Sequence, residues 1–257
     1  MTQNKLLLDS WTAQLYDEKQ CDELLAQLEQ QSAVEHRPNN PRTMKNGKIP
    51  LRKWAVEEQA TGKTEDGKVS FPDYPYPGFQ YGKVVEWRPI VKKMRDRVDA
   101  LTKQSSTFAN VKKYPPDASM DWHQDKTSTW KKDTGVAILS LGFTRQLQIG
   151  RKAQTAKGND KFDVVATVDM LPGMVFFLGP ETNKTYFHRV KPLAKGQQAR
   201  AGCRWSLQFR EIVVYGAARA EQESKKRKQE EVATDGDDDD DDEQPPSKKA
   251  RLSDDDA

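Results

Sequence analysis

Cysteine is nearly absent from this 257-residue chain, which holds only Cys21 and Cys203. Two cysteines allow at most one disulfide, which excludes a disulfide-stapled scaffold and a four-cysteine zinc site. Histidine is as scarce, with three residues, so imidazole chemistry has few places to sit. Long apolar runs are missing too. The best, 164–179, is broken by Asp169 and Pro172 and falls short of the roughly 20 residues that cross a bilayer as a helix. Ahead of Asp9 the N-terminus offers only Leu6-Leu7-Leu8, too short for the apolar core of a secretory signal. These absences lead us to expect a soluble, intracellular protein without a membrane partner.

Charge, by contrast, is abundant and unevenly placed. Residues 221–257 carry 7 basic and 15 acidic side chains; the remaining 35 basic and 24 acidic residues give residues 1–220 a net charge of +11. A basic body suggests a polyanionic partner, with nucleic acid, DNA or RNA, first among them. The tail contains six consecutive aspartates, Asp237 to Asp242, whose mutual repulsion opposes a compact element, so the sequence predicts disorder there. Lys225-Lys226-Arg227-Lys228 and Lys248-Lys249-Ala250-Arg251 flank the aspartates. Such short basic clusters are what nuclear import receptors bind, so a nuclear location is expected, with the cytoplasm as a second compartment.

The body opens with helices. Asp17 and Gln20 form a capping-box pair ahead of the stripe Leu24, Leu25 and Leu28. A second helix is predicted from Pro89, with Ile90, Val91, Met94, Val98 and Leu101 at helical spacing. Between them, residues 36–87 read as loop-rich, because they hold six of the 14 prolines and five of the 15 glycines. From Phe108 onward the pattern becomes short strands, at 108–114, 136–143, 145–150, 162–169, 173–178, 186–190 and 203–214. Helices followed by many short strands predict an α+β fold built on a sandwich or barrel.

Two segments carry chemistry. In His123-Gln124-Asp125 the i, i+2 spacing puts both outer side chains on one face of an extended chain. With His188, 65 residues beyond His123, they make two imidazoles and a carboxylate, the donor set of non-haem Fe(II) oxygenases. By itself an HxD triplet arises often by chance. His36 has no obvious partner and reads as surface. The second segment is the strand Arg204-Trp205-Ser206-Leu207-Gln208-Phe209-Arg210, where alternation puts Arg204 and Arg210 on one face. Facing inward, they would need anionic partners, which a dicarboxylate such as 2-oxoglutarate supplies. Facing outward, they would be ordinary solvated charges, and the strand alone does not choose.

Taken together, these segments resemble the AlkB family of Fe(II)- and 2-oxoglutarate-dependent dioxygenases. The resemblance rests on Tyr114 nine residues before His123, on the strand 136–142, on Phe187-His188-Arg189-Val190 and on the Arg204-x5-Arg210 strand. It implies a double-stranded β-helix (jelly-roll) core with N-terminal helices, an aromatic-rich lid and the disordered C-terminal tail. It further implies His123, Asp125 and His188 as metal ligands, with Fe(II), 2-oxoglutarate and O2 as cofactors. Arg204 and Tyr114 would bind the cosubstrate, and Arg210 would lie near its metal-proximal end and the substrate. The organisation expected is 1–104 for helices and nucleotide-recognition lid, 105–216 for the catalytic core and 217–257 for the tail.

The implied activity is oxidative demethylation of alkylated bases in DNA or RNA, with a role in DNA repair. Trp54, Tyr74, Tyr76 and Tyr81 are the candidates to stack on a base, and Thr127 stands where the family carries an acid beside it. Lys112 departs from the family's Asn two residues before the cosubstrate tyrosine. Lys112, Lys113, Lys131, Lys132, Arg151 and Lys152 are candidate phosphate contacts. Two other readings use the same residues. One is a 2-oxoglutarate oxygenase acting on protein or a small molecule; the other is a catalytically silent nucleic-acid-binding adaptor.

Overall fold

The structure is a computed structural model that describes residues 2–38, 51–65, 68–72, 84–153 and 161–213. All of these fall in one compact unit, Met1–Gly216. Tyr74, Tyr76, Tyr81 and the charged tail lie outside the described residues.

Both helices start where local chemistry places them. Helix α1 spans Glu18–Gln31: the Asp17 carboxylate accepts from the Gln20 N–H at 2.8 Å, and the Gln20 side chain accepts from the Asp17 N–H at 3.1 Å. That reciprocal pair satisfies two otherwise orphaned donors. Helix α2, Pro89–Thr102, opens with proline where no intrahelical N–H is needed and closes at Lys103 in the left-handed region. Leu24 and Leu28 of α1 and Ile90, Val91, Met94 and Val98 of α2 are buried in one cluster. Burying each such side chain contributes roughly 1.5–3 kcal/mol.

The strands are β1 (Asn4–Leu7), β2 (Ser10–Gln14), β3 (Glu35–Pro38), β4 (Leu51–Ala60), β5 (Lys63–Glu65), β6 (Lys68–Ser70), β7 (Val85–Glu86), β8 (Phe108–Tyr114), β9 (Met120–His123) and β10 (Val136–Gly142), then β11 (Arg145–Ala153), β12 (Lys161–Met170), β13 (Met174–Leu178), β14 (Phe187–Val190) and β15 (Arg204–Arg210). Short helices α3 (Pro180–Thr185) and α4 (Lys195–Gln198) precede β14 and β15 respectively.

The larger sheet runs β1-β2-β13-β10-β15-β8-β4-β3, antiparallel throughout this path, with β7 added parallel to β4. A smaller antiparallel sheet runs β12-β11-β14-β9. One face of the larger sheet packs on α1 and α2 through Val111, Leu139, Trp205, Leu207 and Phe209. Its other face meets the smaller sheet, with Phe108, Ile138 and Phe176 in one cluster with Leu147, Ile149 and Val168. Two antiparallel sheets packed face to face, with helices outside, make the jelly-roll expected of the sequence.

Two expectations change. The segment 36–87 is not simply loop: β4 contributes ten residues to the larger sheet, paired with β8 from Ala55↔Lys113 to Ala60↔Phe108. Its Glu57-Glu58-Gln59 run is a poor strand signal, but Glu57 is held there by a 2.7 Å ion pair with Arg88. The expected boundary at 104/105 therefore crosses a sheet, since β1, β2 and β4 share it with β8, β10, β13 and β15.

Candidate active site

Alternation along β15 decides the site. Trp205, Leu207 and Phe209 enter the helix-side core, so Arg204, Ser206, Gln208 and Arg210 face the space between the sheets. The neighbouring strand β8 presents Asn110, Lys112 and Tyr114 to the same space, opposite Gln208, Ser206 and Arg204 in register. The polar half of an amphipathic strand thus faces the interior between the sheets instead of meeting water.

His123 ends β9 and His188 lies directly opposite on β14, with ring centroids 4.1 Å apart. Asp125 follows two residues beyond the strand, its Oδ1 3.9 Å from His123 Nε2. One donor atom from each of the three lies within 4.8 Å of the others, so they could hold a metal ion. The His123 Nδ1–H donates to the Asp121 carbonyl at 2.8 Å, because a carbonyl can only accept. That bond orients the ring and leaves Nε2 with its lone pair for a metal. Burial pushes His188 down to about 3 and lowers His123 as well, with the Asp125 charge opposing in each case. For Asp125, burial favours the neutral acid, but Arg210, His188, His123 and Lys112 together hold the carboxyl well below the usual range. Neutral imidazoles and an ionised carboxylate are the forms a divalent metal needs.

Arg210 donates to Asp125 Oδ2 at 3.2 Å and to Gln208 Oε1 at 3.0 Å. It therefore acts on the carboxylate itself. Asp125 is also held through its backbone. Asn183, buried on α3, accepts from the Asp125 N–H and donates to the Asp125 carbonyl, both at 2.9 Å. Gln124 donates to the carbonyls of Asn183 and Lys184. Helix α3 is anchored in turn by Asp9, whose carboxylate accepts from the Glu181 and Thr182 N–H groups and the Thr182 hydroxyl.

The interior at the start of β15 is cationic. Arg204, 1% exposed, donates from Nε to Ser140 Oγ at 3.0 Å, while its Nη1 has no hydrogen-bond partner among the described residues. Its guanidinium lies 5.6 Å from the Tyr114 ring centroid. Burial brings its pKa down to about 10. A buried guanidinium with an unused N–H is what a carboxylate ligand fits.

The remaining expectations sort by position. Lys112 points inward: its Nζ donates to Gln208 Oε1 at 3.0 Å and lies 4.9 Å from the Trp54 ring centroid. It is buried and unsuited to an outer phosphate. Lys113 pairs with Glu29, Lys131 with Glu211, and Arg151 with the Tyr186 hydroxyl, so these three already serve the fold. Lys132 and Lys152 are exposed, as is His36. Trp54 is buried on β4 with its ring 6.0 Å from that of Tyr114. Thr127 is exposed and, with Gln124, Trp130 and Lys184, lines a cavity of about 520 Å3 beside Asp125. Sequence reasoning missed Asn183, Ser140 and Gln208. A helix-opening Pro180 was the one local signal near Asn183, and it says nothing about what the side chain reaches.

Comparison with known proteins bears on the family and the fold. The DNA oxidative demethylase ALKBH2 of Mus musculus is 26% identical over 128 residues, 49% of this chain and 52% of that protein. Its Homo sapiens counterpart is 23% identical over 129 residues, 50% of this chain and 48% of that protein. The chain thus spans about half the length of the curated relatives it matches. Among solved structures, that of OsALKBH1 superposes with a TM-score of 0.51 at 18% identity, covering 81% of this chain and 100% of the other, a likeness of fold. The family model described as the 2OG-Fe(II) oxygenase superfamily matches residues 9–210. By that match over most of its length, this chain belongs to the 2OG-Fe(II) oxygenase superfamily and resembles its AlkB branch.

Proposed function

We propose that this chain is an Fe(II)- and 2-oxoglutarate-dependent dioxygenase that removes N-methyl groups from nucleic-acid bases by oxidation. One observation carries the reading. A two-histidine, one-carboxylate cluster is accompanied in the interior between the sheets by a buried arginine, Arg204, with an unused N–H. The two ends of an α-keto diacid call for one of each.

Residue roles follow from placement. His123, Asp125 and His188 hold the metal, Arg210 keeps Asp125 ionised and aimed, and Arg204 takes the far carboxylate with Tyr114 beside it. When bound, iron and 2-oxoglutarate supply the oxidation of a methyl C–H bond by O2, giving succinate, CO2 and, after collapse of the hydroxymethyl group, formaldehyde. The protein positions the reacting carbon and excludes water between the two packed sheets. A target base must be flipped out or single-stranded to reach the site. The name of the matched relatives, DNA oxidative demethylase, favours DNA. The basic clusters near Lys225 and Lys248 would direct the chain to the nucleus.

The test is mass spectrometry of methylated single-stranded DNA and RNA oligonucleotides, incubated with the protein, Fe(II), ascorbate and 2-oxoglutarate, with His123→Ala as control. Succinate release with loss of one CH2 mass per methyl is expected. Succinate without oligonucleotide change would move the substrate to protein or a small molecule, and no succinate with any substrate would overturn the oxygenase reading.

A further inference from the structure

The interior between the sheets contains a second buried arginine that the roles above leave unused. Arg145 begins β11 and is 1% exposed. Leu147 and Ile149, next on its face, pack in the inter-sheet core, so alternation aims Arg145 inward from the smaller sheet. Arg204 comes from the larger sheet opposite. The two are close in the chain's path, because Gly142, three residues before Arg145, pairs with Arg204.

Resting on the cosubstrate reading above, we infer that Arg145 is a second cosubstrate-binding residue whose guanidinium joins that of Arg204 around the far carboxylate of 2-oxoglutarate.

Hydrogen bonding supports this. Arg145 Nη2 donates to the Ala118 carbonyl at 2.7 Å and to the Lys191 carbonyl at 3.0 Å. Those bonds tie two loops together, but they use a single nitrogen and need no charge. Nε and Nη1 of Arg145, like Nη1 of Arg204, have no hydrogen-bond partner among the described residues. Neither arginine has a carboxylate within salt-bridge distance among those residues. Two buried cations without an acid are costly to fold, and more so near each other. The Arg145 charge reaches Arg204: after burial and the opposing effect of Tyr114 it is the next influence, and it lowers the Arg204 pKa. Tyr114 also acts on Arg145, as it does on Arg204. An entering carboxylate would relieve the repulsion and fill the unused N–H groups at once.

The test is calorimetric titration of the full chain, loaded with Mn(II), with 2-oxoglutarate and with 2-oxobutyrate, which keeps the keto-acid head but lacks the far carboxylate. Arg145→Met should weaken 2-oxoglutarate by about tenfold or more, the scale of one charge-assisted hydrogen bond. It should leave 2-oxobutyrate and Mn(II) binding unchanged, and Arg145→Lys should fall between. An unchanged 2-oxoglutarate affinity, or equal weakening of both keto acids, would overturn the assignment. Should Arg145→Met fail to fold, Arg204→Met decides: a remaining preference for 2-oxoglutarate over 2-oxobutyrate is expected with Arg145 in place, and equal affinities would overturn it. A wild-type protein that shows no such preference would instead sink the cosubstrate reading and this inference with it.

Discussion

Asn183 brackets Asp125: one side-chain amide satisfies both the N–H and the carbonyl of the same residue, each at 2.9 Å. The two are 58 residues apart, and this pair fixes the backbone beneath the carboxylate that Arg210 aims from the other side. The HxD segment is thereby docked on α3, not left on a free loop.

Asn183→Ala should therefore loosen Asp125 without touching the metal or the cosubstrate directly. Metal affinity is expected to fall by about 10–100-fold, the usual effect of removing a group that orients a ligand. Co(II) titration followed by its visible spectrum checks this, with 2-oxoglutarate affinity at saturating metal as the quantity that stays constant. Unaltered Co(II) affinity would show that β9 and Arg210 position the carboxylate without Asn183.

Asp9 works one step further back. Its carboxylate accepts three hydrogen bonds at the start of α3 from a turn more than 170 residues earlier in the chain. Asp9→Ala is expected to cost about 1–2 kcal/mol, as for other lost helix N-caps. Urea unfolding of the two proteins reads the difference, and equal midpoints would mean that α3 is held by its packing instead.

The metal-free protein should lose stability as the solution is acidified below about pH 6.5. Burial lowers the folded-state pKa of His188 to about 3, against 6.5 for the free side chain. Between those values the unfolded chain binds a proton that the folded chain does not. Stability is therefore full above 6.5 and declines as pH falls, by up to about 1.4 kcal/mol per pH unit for one such group. Urea unfolding with chelator at pH 7, 6 and 5 measures the slope. His188→Gln should flatten it, and an equal slope in that variant would assign the loss to other groups.

Gly142 closes β10 with φ of +74°, and an added Cβ would stand 2.5 Å from the Cys203 carbonyl oxygen. Gly142→Ala faces both the left-handed backbone and backbone that cannot yield, at the residue paired with Arg204. A loss of about 1–3 kcal/mol is expected, together with weaker 2-oxoglutarate binding. Thermal unfolding and calorimetry check the two separately, and a variant with wild-type values in both would show that the turn relaxes.

Much of this was legible in the chain because its causes are local. The Asp17–Gln20 capping box and the Pro89 helix start involve neighbours in sequence, and the structure has them. The strands expected at 108–114, 136–143, 145–150, 162–169, 173–178, 186–190 and 203–214 are present close to those bounds because turn residues separate them, but β9 at Met120–His123 was not foreseen. The strand at Leu51–Ala60 was hidden because Glu57 and Glu58 are weak strand formers, and its order comes from pairing with β8.

The candidate site divides the same way. The spacing of His123 and Asp125 was readable, since an extended chain puts i and i+2 on one face. Alternation also put Arg204 and Arg210 together, but it could not say whether their face met water or an interior. Only the packing of Trp205, Leu207 and Phe209 on the helices chose the interior. Placing His188 beside His123, Asn183 around Asp125 and Arg145 across from Arg204 likewise required the tertiary structure. Sequence determines which groups a strand can present together; which strands then face each other depends on the burial of their opposite sides, a long-range property no local pattern encodes.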